Sequence, residues 1–115
     1  MTTEDFRRSA LACQGAVESA HMNHPDFRVN GKIFASLGYP DEEWGMVKLT
    51  PVQQRSFVEK EPEVFRPCNG AWGQRGCTNV HLASAGQKIV SAAIEAAAKN
   101  LTSPAGAMRK PKSKQ

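Results

Sequence analysis

Residues 24–38 read HPDFRVNGKIFASLG, and this stretch predicts a β-hairpin with a cationic tip. The dipeptide Asn30-Gly31 lies between two β-prone runs, which is the strongest short-range signal for a tight turn, because both residue types tolerate the positive φ that such turns need. Arg28 and Lys32 flank the turn and bring positive charge to it. The hairpin therefore defines part of the fold and offers a first candidate contact surface.

The register of this hairpin follows from its apolar positions. Apart from Phe34, the large apolar residues occupy odd positions, so a shared buried face requires odd residues to pair with odd residues across the turn. A two-residue loop would pair odd with even. We therefore predict a three-residue loop over 29–31, with its glycine as a left-handed bulge residue. Asp26, Arg28 and Lys32 then lie on the solvent face.

Length and composition predict a single cytoplasmic domain. A chain of 115 residues is long enough to bury a core without disulfides or metal. Its amino end is charged, and no run approaches the ~18 apolar residues of a membrane span, so we expect neither a signal peptide nor a membrane anchor. The odd count of irregularly spaced cysteines, Cys13, Cys68 and Cys77, predicts reduced thiols in that compartment.

The positive charge is concentrated at the carboxyl end. The formal net charge is +4, and four of the 15 basic residues follow Met108. The 11 basic residues that precede them balance the 11 acidic residues, so the body of the domain is formally neutral. We predict a folded domain over residues 1–101 and a disordered basic tail over 102–115, because the tail has too little apolar content to pack. Any DNA attraction of the tail would be non-specific and salt-sensitive.

Helical and strand patterns alternate along the chain. The sequence predicts helices over 3–14, over 50–61 and up to Leu101, and strands in the hairpin, over 44–49, over 64–66 and over 77–82. Residues 16–21 are expected to be extended, and residues 67–76 to form a loop. The element order α-β(3)-α-β(2)-α predicts a two-layer α+β domain with helices on one face of an antiparallel sheet.

Five blocks of the sequence recur in a known protein family. They are HPDFRV (24–29), GKIFA (31–35), VKLT (47–50), EPEVFRP (61–67) and GAWG (70–73). In this order and at these separations they resemble the MmcQ/YjbR family of small bacterial proteins. The resemblance runs from the first helix to about Leu101, and it implies an α+β fold related in outline to secretion chaperones, together with DNA binding. One departure is Cys77, where members of the family often have a tryptophan in a Gly-Trp-Thr sequence.

The resemblance implies double-stranded DNA as a partner, and the plausible contacts are cationic or aromatic. The candidates are Arg28, Lys32, Lys48, Arg66, Trp72 and Arg75. Side chains on a hairpin can track phosphates, and guanidinium groups can bind phosphate oxygens through paired hydrogen bonds. The neutral body and the lack of a strongly basic helix favour, on sequence physics alone, an ordinary solvated surface.

The GAWG segment allows two arrangements of Trp72. Its glycines could let the backbone turn sharply and expose the ring as a stacking platform. More often such a tryptophan folds back as a lid on the core, and this is the interpretation that we favour.

No catalytic, cofactor or metal site is predicted. His21, His24, Cys68, Cys77 and His81 could supply zinc donors, but paired Cys-x-x-Cys spacing is absent. Neither a nucleophile elbow nor a phosphate-loop motif occurs.

The predicted function is therefore that of a non-enzymatic DNA-binding protein, with a protein-interaction adaptor or chaperone-like module as the alternative. A cationic, aromatic-bearing open sheet face would favour nucleic acid, and a contiguous apolar patch would favour a protein partner.

Overall fold

The computed structural model describes residues 1–38 and 41–102. The helices are α1 (Thr3–Leu11), α2 (Pro51–Lys60), α3 (Gly70–Gln74) and α4 (Gln87–Thr102), and a short 3-10 turn covers Leu82–Ser84. The strands are β1 (Val17–His21), β2 (His24–Val29), β3 (Lys32–Leu37), β4 (Trp44–Lys48), β5 (Phe65–Pro67) and β6 (Cys77–His81). None of the described helices is both long and apolar enough to cross a bilayer.

The strands form one antiparallel sheet in the order β1-β2-β3-β4-β6-β5. The predicted two-layer α+β class is confirmed. The described residues contain one strand and one helix more than the sequence predicted. Residues 16–21, expected only to be extended, contain β1, whose five residues are all exposed and therefore show no apolar alternation. The predicted loop over 67–76 contains α3, which is too short and too rich in glycine to show helical periodicity.

Capping boxes mark the starts of α1 and α2, which lie close to the predicted positions. Thr2 and Thr50 each form a complete capping box with the residue three positions later. α1 ends at Leu11, earlier than predicted. The chain then turns over residues 12–15, and Gly15 has a φ of 78°. At the other end of the chain, Thr102 belongs to α4, so the predicted tail begins inside a helix; the rest of that tail lies outside the described residues.

The turn between β2 and β3 has two residues, so the predicted three-residue loop is wrong. Asn30 and Gly31 have φ values of 54° and 78°, and the flanking Val29 and Lys32 pair directly. Positive φ at both central positions is the geometry of a type I′ turn, which matches the twist of the strands that it joins.

A bulge inside the strands supplies the odd-to-odd pairing that the loop was expected to supply. Phe27 pairs with Ala35, the register then shifts, and Arg28 pairs with Ile33. Phe34 is the additional residue in β3, and it is fully buried. Phe34, the one apolar residue of the hairpin that breaks the odd-position pattern, is therefore the residue that forms the bulge.

The bulge also redistributes the side chains that were predicted on one solvent face. Cross-strand partners share a face, so Arg28 lies on the face of the half-buried Ile33, whereas Lys32 lies on the face of the buried Val29, at its margin. Asp26, predicted to be solvent-exposed, is fully buried. Arg28 and Lys32 thus do not form the single cationic face that the sequence suggested.

Helices cover one face of the sheet and enclose the core. α4 packs across β2, β3 and β4, α1 packs beside α4, and α2 packs against β5. The largest fully buried side chains are Phe6, Phe27, Phe34, Phe65, Ile94, Val47, Val64, Val80 and Val90. Alternate strand residues point away from this core, and they form the surface on which the candidate site lies.

Candidate functional site on the open face of the sheet

The face of the sheet opposite α1, α2 and α4 is called the open face. Its strand residues are Val17, Ser19, His21, His24, Asp26, Arg28, Ile33, Ser36, Trp44, Met46, Lys48, Arg66, Cys77, Asn79 and His81. Pairing between strands sorts them into rows: Lys48 lies opposite Cys77, and Met46 lies opposite Asn79. Polar, sulfur-bearing and aromatic side chains therefore meet on one surface, although they come from distant parts of the chain.

Two depressions lie on this surface or at its margin. The larger has a volume of about 550 Å³ and runs between α3 and the β1–β2 turn. It is lined by His21, Met22, His24, Ile33, Ser36, Met46, Lys48, Cys68, Asn69, Trp72, Cys77 and Asn79, and is called the groove below. The smaller, of about 410 Å³, lies at the hairpin end and is lined by Arg28, Gly31, Lys32, Ile33, Lys48 and Leu101. Ile33 and Lys48 border both, so the two depressions are neighbours.

Trp72 is exposed, so the expected lid on the core is wrong. The side chain is 59 % exposed, and the Lys48 ammonium lies 5.6 Å from the centre of its ring, within the range of a cation–π contact. α3 is fixed beneath it: Gly73 packs so tightly on the Cys68 carbonyl that a Cβ would overlap the oxygen, and Gln54 Nε2 donates to the Gly73 carbonyl at 3.0 Å. The ring is thus held at the rim of the groove.

A second cation–aromatic pair lies towards the other sheet edge. The Arg66 guanidinium on β5 is 5.2 Å from the centre of the Trp44 ring on β4. Trp44 also contacts the ring of His81 at 4.7 Å between centroids. Arg66 is exposed and borders the open face outside the groove. Cation and ring again share one surface, so this pair extends the same chemistry beyond the groove.

Arg28 is already engaged by a buried carboxylate. Its Nε donates to Asp26 Oδ1 at 2.8 Å and its second terminal nitrogen donates to Oδ2 at 3.1 Å, while His21 Nδ1 lies 2.8 Å from Oδ2. The hydrogen bonds from Arg28 lower the pKa of Asp26, and the same pairing raises the pKa of Arg28. This fork-like pair orients Arg28 but leaves fewer of its donors for a ligand.

The predicted site residues are only partly brought together. Lys48 and Trp72 meet at the groove, and Arg28 and Lys32 border the smaller depression. Arg66 lies outside the lining of both depressions. Arg75 is exposed at the end of α3, outside the lining of both depressions. The candidate metal donors do not gather, because no three His, Cys, Asp or Glu side chains of residues 1–38 and 41–102 form a group that could hold an ion.

Sequence reasoning missed the apolar part of the site. Met22 is 86 % exposed in the β1–β2 turn and lines the groove together with Ile33 and Met46. The alternation of Trp44, Met46 and Lys48 was a usable signal for Met46, because these positions share a face of a strand. Met22 has no such signal, since its place depends on β1 pairing with β2.

The fold and the site define a class: a small α+β domain with one helix-covered sheet face and one open face that is cationic and aromatic. The chain belongs to the YjbR family, whose family model matches residues 11–97. The resemblance drawn from the five sequence blocks is therefore confirmed.

A crystal structure of the Deinococcus radiodurans protein DR2400, which carries the family-model domain DUF419, is similar in fold. The TM-score is 0.72 at 12% sequence identity, and the match covers 90% of this chain and 80% of that chain. At this identity the similarity concerns the fold alone. None of the curated proteins matches the sequence.

Proposed function

We propose that this chain is a non-enzymatic DNA-binding protein of the bacterial cytoplasm that binds through the open face, with phosphates near Lys48 and a base stacked on Trp72. The observation that carries the proposal is the exposed Trp72 ring with the Lys48 ammonium 5.6 Å from its centre, at the rim of a groove of about 550 Å³. Proteins that bind single-stranded nucleic acid combine a cationic track with such stacking platforms.

The electrostatics of the open face support this ligand, although the body of the domain is formally neutral. Lys48, Arg28 and Arg66 lie on the open face, and Lys32 lies at the hairpin end. Asp26 is buried and engaged by Arg28 and His21, so it does not oppose an incoming phosphate as a free charge would. The exposed Glu43 lies 3.5 Å from His81, outside the lining of the groove. Local positive charge can steer and hold an anionic ligand despite a small net charge.

The position of Trp72 favours an unpaired base over an intact duplex. Base–aromatic stacking requires access to the face of a base, and bases in a duplex are stacked on their neighbours. The proposal therefore places single-stranded DNA ahead of double-stranded DNA, which differs from the partner that the family resemblance implies.

A protein partner is the second candidate, and the apolar floor of the groove favours it. Met22, Ile33 and Met46 lie beside Trp72, and methionine-rich surfaces adapt to varied partner side chains. Such a site would bind an extended apolar segment rather than a phosphate backbone. The two candidates differ in salt dependence, since counterion release makes DNA affinity fall steeply with salt.

The experiment that tests the proposal separates the open face from the basic tail. Labelled single-stranded and duplex oligonucleotides are titrated with the full chain and with a full-length variant in which Arg109, Lys110, Lys112 and Lys114 are replaced by glutamine. Fluorescence anisotropy is recorded at low and near-physiological salt. We expect the variant to retain binding, with single strands bound more tightly than duplexes.

Two outcomes contradict the proposal. Loss of binding in the tail variant at both salt concentrations would reduce DNA binding to tail electrostatics. Equal, weak binding of both oligonucleotides, abolished by salt, would remove the stacking argument and make the protein partner the leading candidate.

A further inference from the structure

Cys68 and Cys77 form a close pair of thiols on the floor of the groove. Their Sγ atoms are 2.8 Å apart, with Cys68 as donor, and Cys68 Sγ is also 3.3 Å from the side-chain oxygen of Asn79. Cys68 directly follows β5, and its backbone N–H donates to the Cys77 carbonyl at 2.9 Å. Antiparallel partners that share such a bond have Cα atoms about 5.5 Å apart, which lies inside the range that a disulfide spans.

The two thiols differ in their surroundings. Lys48 pairs with Cys77 across β4 and β6, so an ammonium group lies on the same face as this sulfur. The hydrogen bond from Cys68 and the charge of Lys48 lower the pKa of Cys77, whereas that hydrogen bond and burial raise the pKa of Cys68. Cys77 is thus the sulfur that ionises first, and thiolates are the nucleophiles of thiol chemistry.

Both cysteines line the groove, so a small molecule can approach them. The third cysteine, Cys13, lies elsewhere: it follows α1, and its thiol donates to the Ser9 carbonyl at 3.7 Å. Cys13 therefore provides a matched control within the same chain.

We propose that Cys68 and Cys77 are a redox-active dithiol, with Cys77 as the attacking residue and Cys68 as the resolving residue, which a low-molecular-weight disulfide converts to an intramolecular disulfide. The proposal is independent of what the groove binds.

The reaction is a pair of thiol–disulfide exchanges. The Cys77 thiolate attacks one sulfur of the small disulfide, whose S–S bond breaks; a mixed disulfide forms, and the first small thiolate leaves and takes a proton from water. Cys68 then gives its proton to water and attacks the Cys77 sulfur, which displaces the second thiolate. The two cysteines lose two electrons and two protons in total, and the small disulfide gains them as two thiols.

The test treats the folded full-length protein with oxidised glutathione and counts free thiols, with intact-protein mass spectrometry to identify adducts. We expect the wild-type chain to fall from three free thiols to one, without retained glutathione and without linkage between chains. Cys13→Ser is expected to fall from two free thiols to none by the same reaction.

Single variants assign the two roles. Cys68→Ser should stop at a glutathione adduct on Cys77, because no resolving thiol remains. Cys77→Ser should react at least tenfold more slowly, and Lys48→Gln should slow the first step of the otherwise unchanged chain. The same variants unfolded in urea should lose these differences, which shows that the fold creates them.

Three results would overturn the inference. One is a Cys13→Ser protein that keeps both thiols under conditions in which free glutathione exchanges. Another is disulfide formation between two chains instead of within one. The third is equal reaction rates for Cys68→Ser and Cys77→Ser in the folded state, which would mean that neither thiol is activated by its neighbours.

Discussion

The two faces of the sheet use alternate residues of the same strands, yet they differ in packing and in chemistry. On the covered face, Phe27, Val47 and Val80 are fully buried under the helices. On the open face, Lys48 and Trp72 border a groove, and Trp72 is 59 % exposed. A period of two along each strand thus separates the residues that hold the domain together from those that can bind a ligand.

Asp26 departs from this division between the two faces. By register it belongs with the open-face row, opposite Ser36, yet it is fully buried and paired with Arg28 and His21. Its stability contribution comes from charge-assisted hydrogen bonds rather than from apolar packing. Loss of Asp26 should therefore affect folding, whereas loss of the exposed residues of the open face should affect mainly binding.

The largest expected effect is on the covered face. Phe27→Ala removes a ring whose centroid lies 6.2 Å from that of the Phe6 ring. It should lower the free energy of unfolding by about 3–5 kcal/mol, because the cost of the cavity adds to the lost transfer free energy of the ring. Urea denaturation measures the change. Trp72→Ala is the matched aromatic deletion on the open face, and it should cost less than about 1 kcal/mol. Equal losses for the two variants would contradict the division between the faces.

Removing the buried charge should have the next largest effect. Asp26→Asn should lower the free energy of unfolding at neutral pH by about 1–3 kcal/mol, because Arg28 and His21 lose a charged acceptor. Since folding lowers the pKa of Asp26 below its ordinary value of 3.8, the charged form stabilises the fold above that pH, and this contribution disappears as the pH falls through the folded-state pKa.

Urea denaturation over a series of pH values tests this sign. The difference between wild type and Asp26→Asn should shrink as the solution is acidified below the ordinary carboxyl range. Glu42→Gln removes an exposed charge in the β3–β4 connection and should change stability by less than about 0.5 kcal/mol at neutral pH. A difference for Asp26→Asn that grows on acidification would contradict the assigned pairing.

For binding, the largest effect is expected from the exposed ring. Trp72→Ala should weaken affinity for single-stranded DNA by about tenfold, because stacking of one base contributes ~1–3 kcal/mol. Trp72→Phe keeps a ring and should recover most of that loss. Anisotropy titration measures both variants. Unchanged affinity in Trp72→Ala, with the fold intact, would remove Trp72 from the site.

The smallest expected effect is that of one phosphate contact. Lys48→Gln should weaken binding severalfold at low salt and reduce the slope of log affinity against log salt by about 0.7 for a single strand. Lys88→Gln removes the same charge from the exposed side of α4, behind the covered face, and should leave both quantities unchanged. Identical slopes for the two variants would indicate that Lys48 acts only through general charge.

The covered face could be predicted from the sequence, because apolar periodicity and capping boxes report it directly. Alternation in β4 and β6 places Val47 and Val80 inside, and the capping box at Thr50 marks the start of α2. The hairpin was predicted with the wrong loop. Asn-Gly favours a two-residue turn, and the odd parity came from a bulge at Phe34, the residue whose even position breaks the apolar alternation.

The open face could be predicted only in part. Lys48 and Trp72 were recognised as candidates, but their contact depends on how α3 packs on the Cys68 carbonyl, which is a tertiary effect. Arg28 was predicted to lie with Asp26 on the solvent face, whereas Asp26 is fully buried. Burial of that carboxylate follows from β1 and β2 pairing, which brings His21 beside it.

Amide and indole chemical-shift mapping shows whether DNA binds to the open face. The isotopically labelled full chain is titrated with a short single-stranded oligonucleotide, and shifts are followed residue by residue. We expect the largest changes to cluster at Lys48, Cys77, Asn79 and the Trp72 indole, while α1 and the exposed side of α4 stay unchanged. Changes confined to residues after Thr102, or spread over the helices, would contradict it.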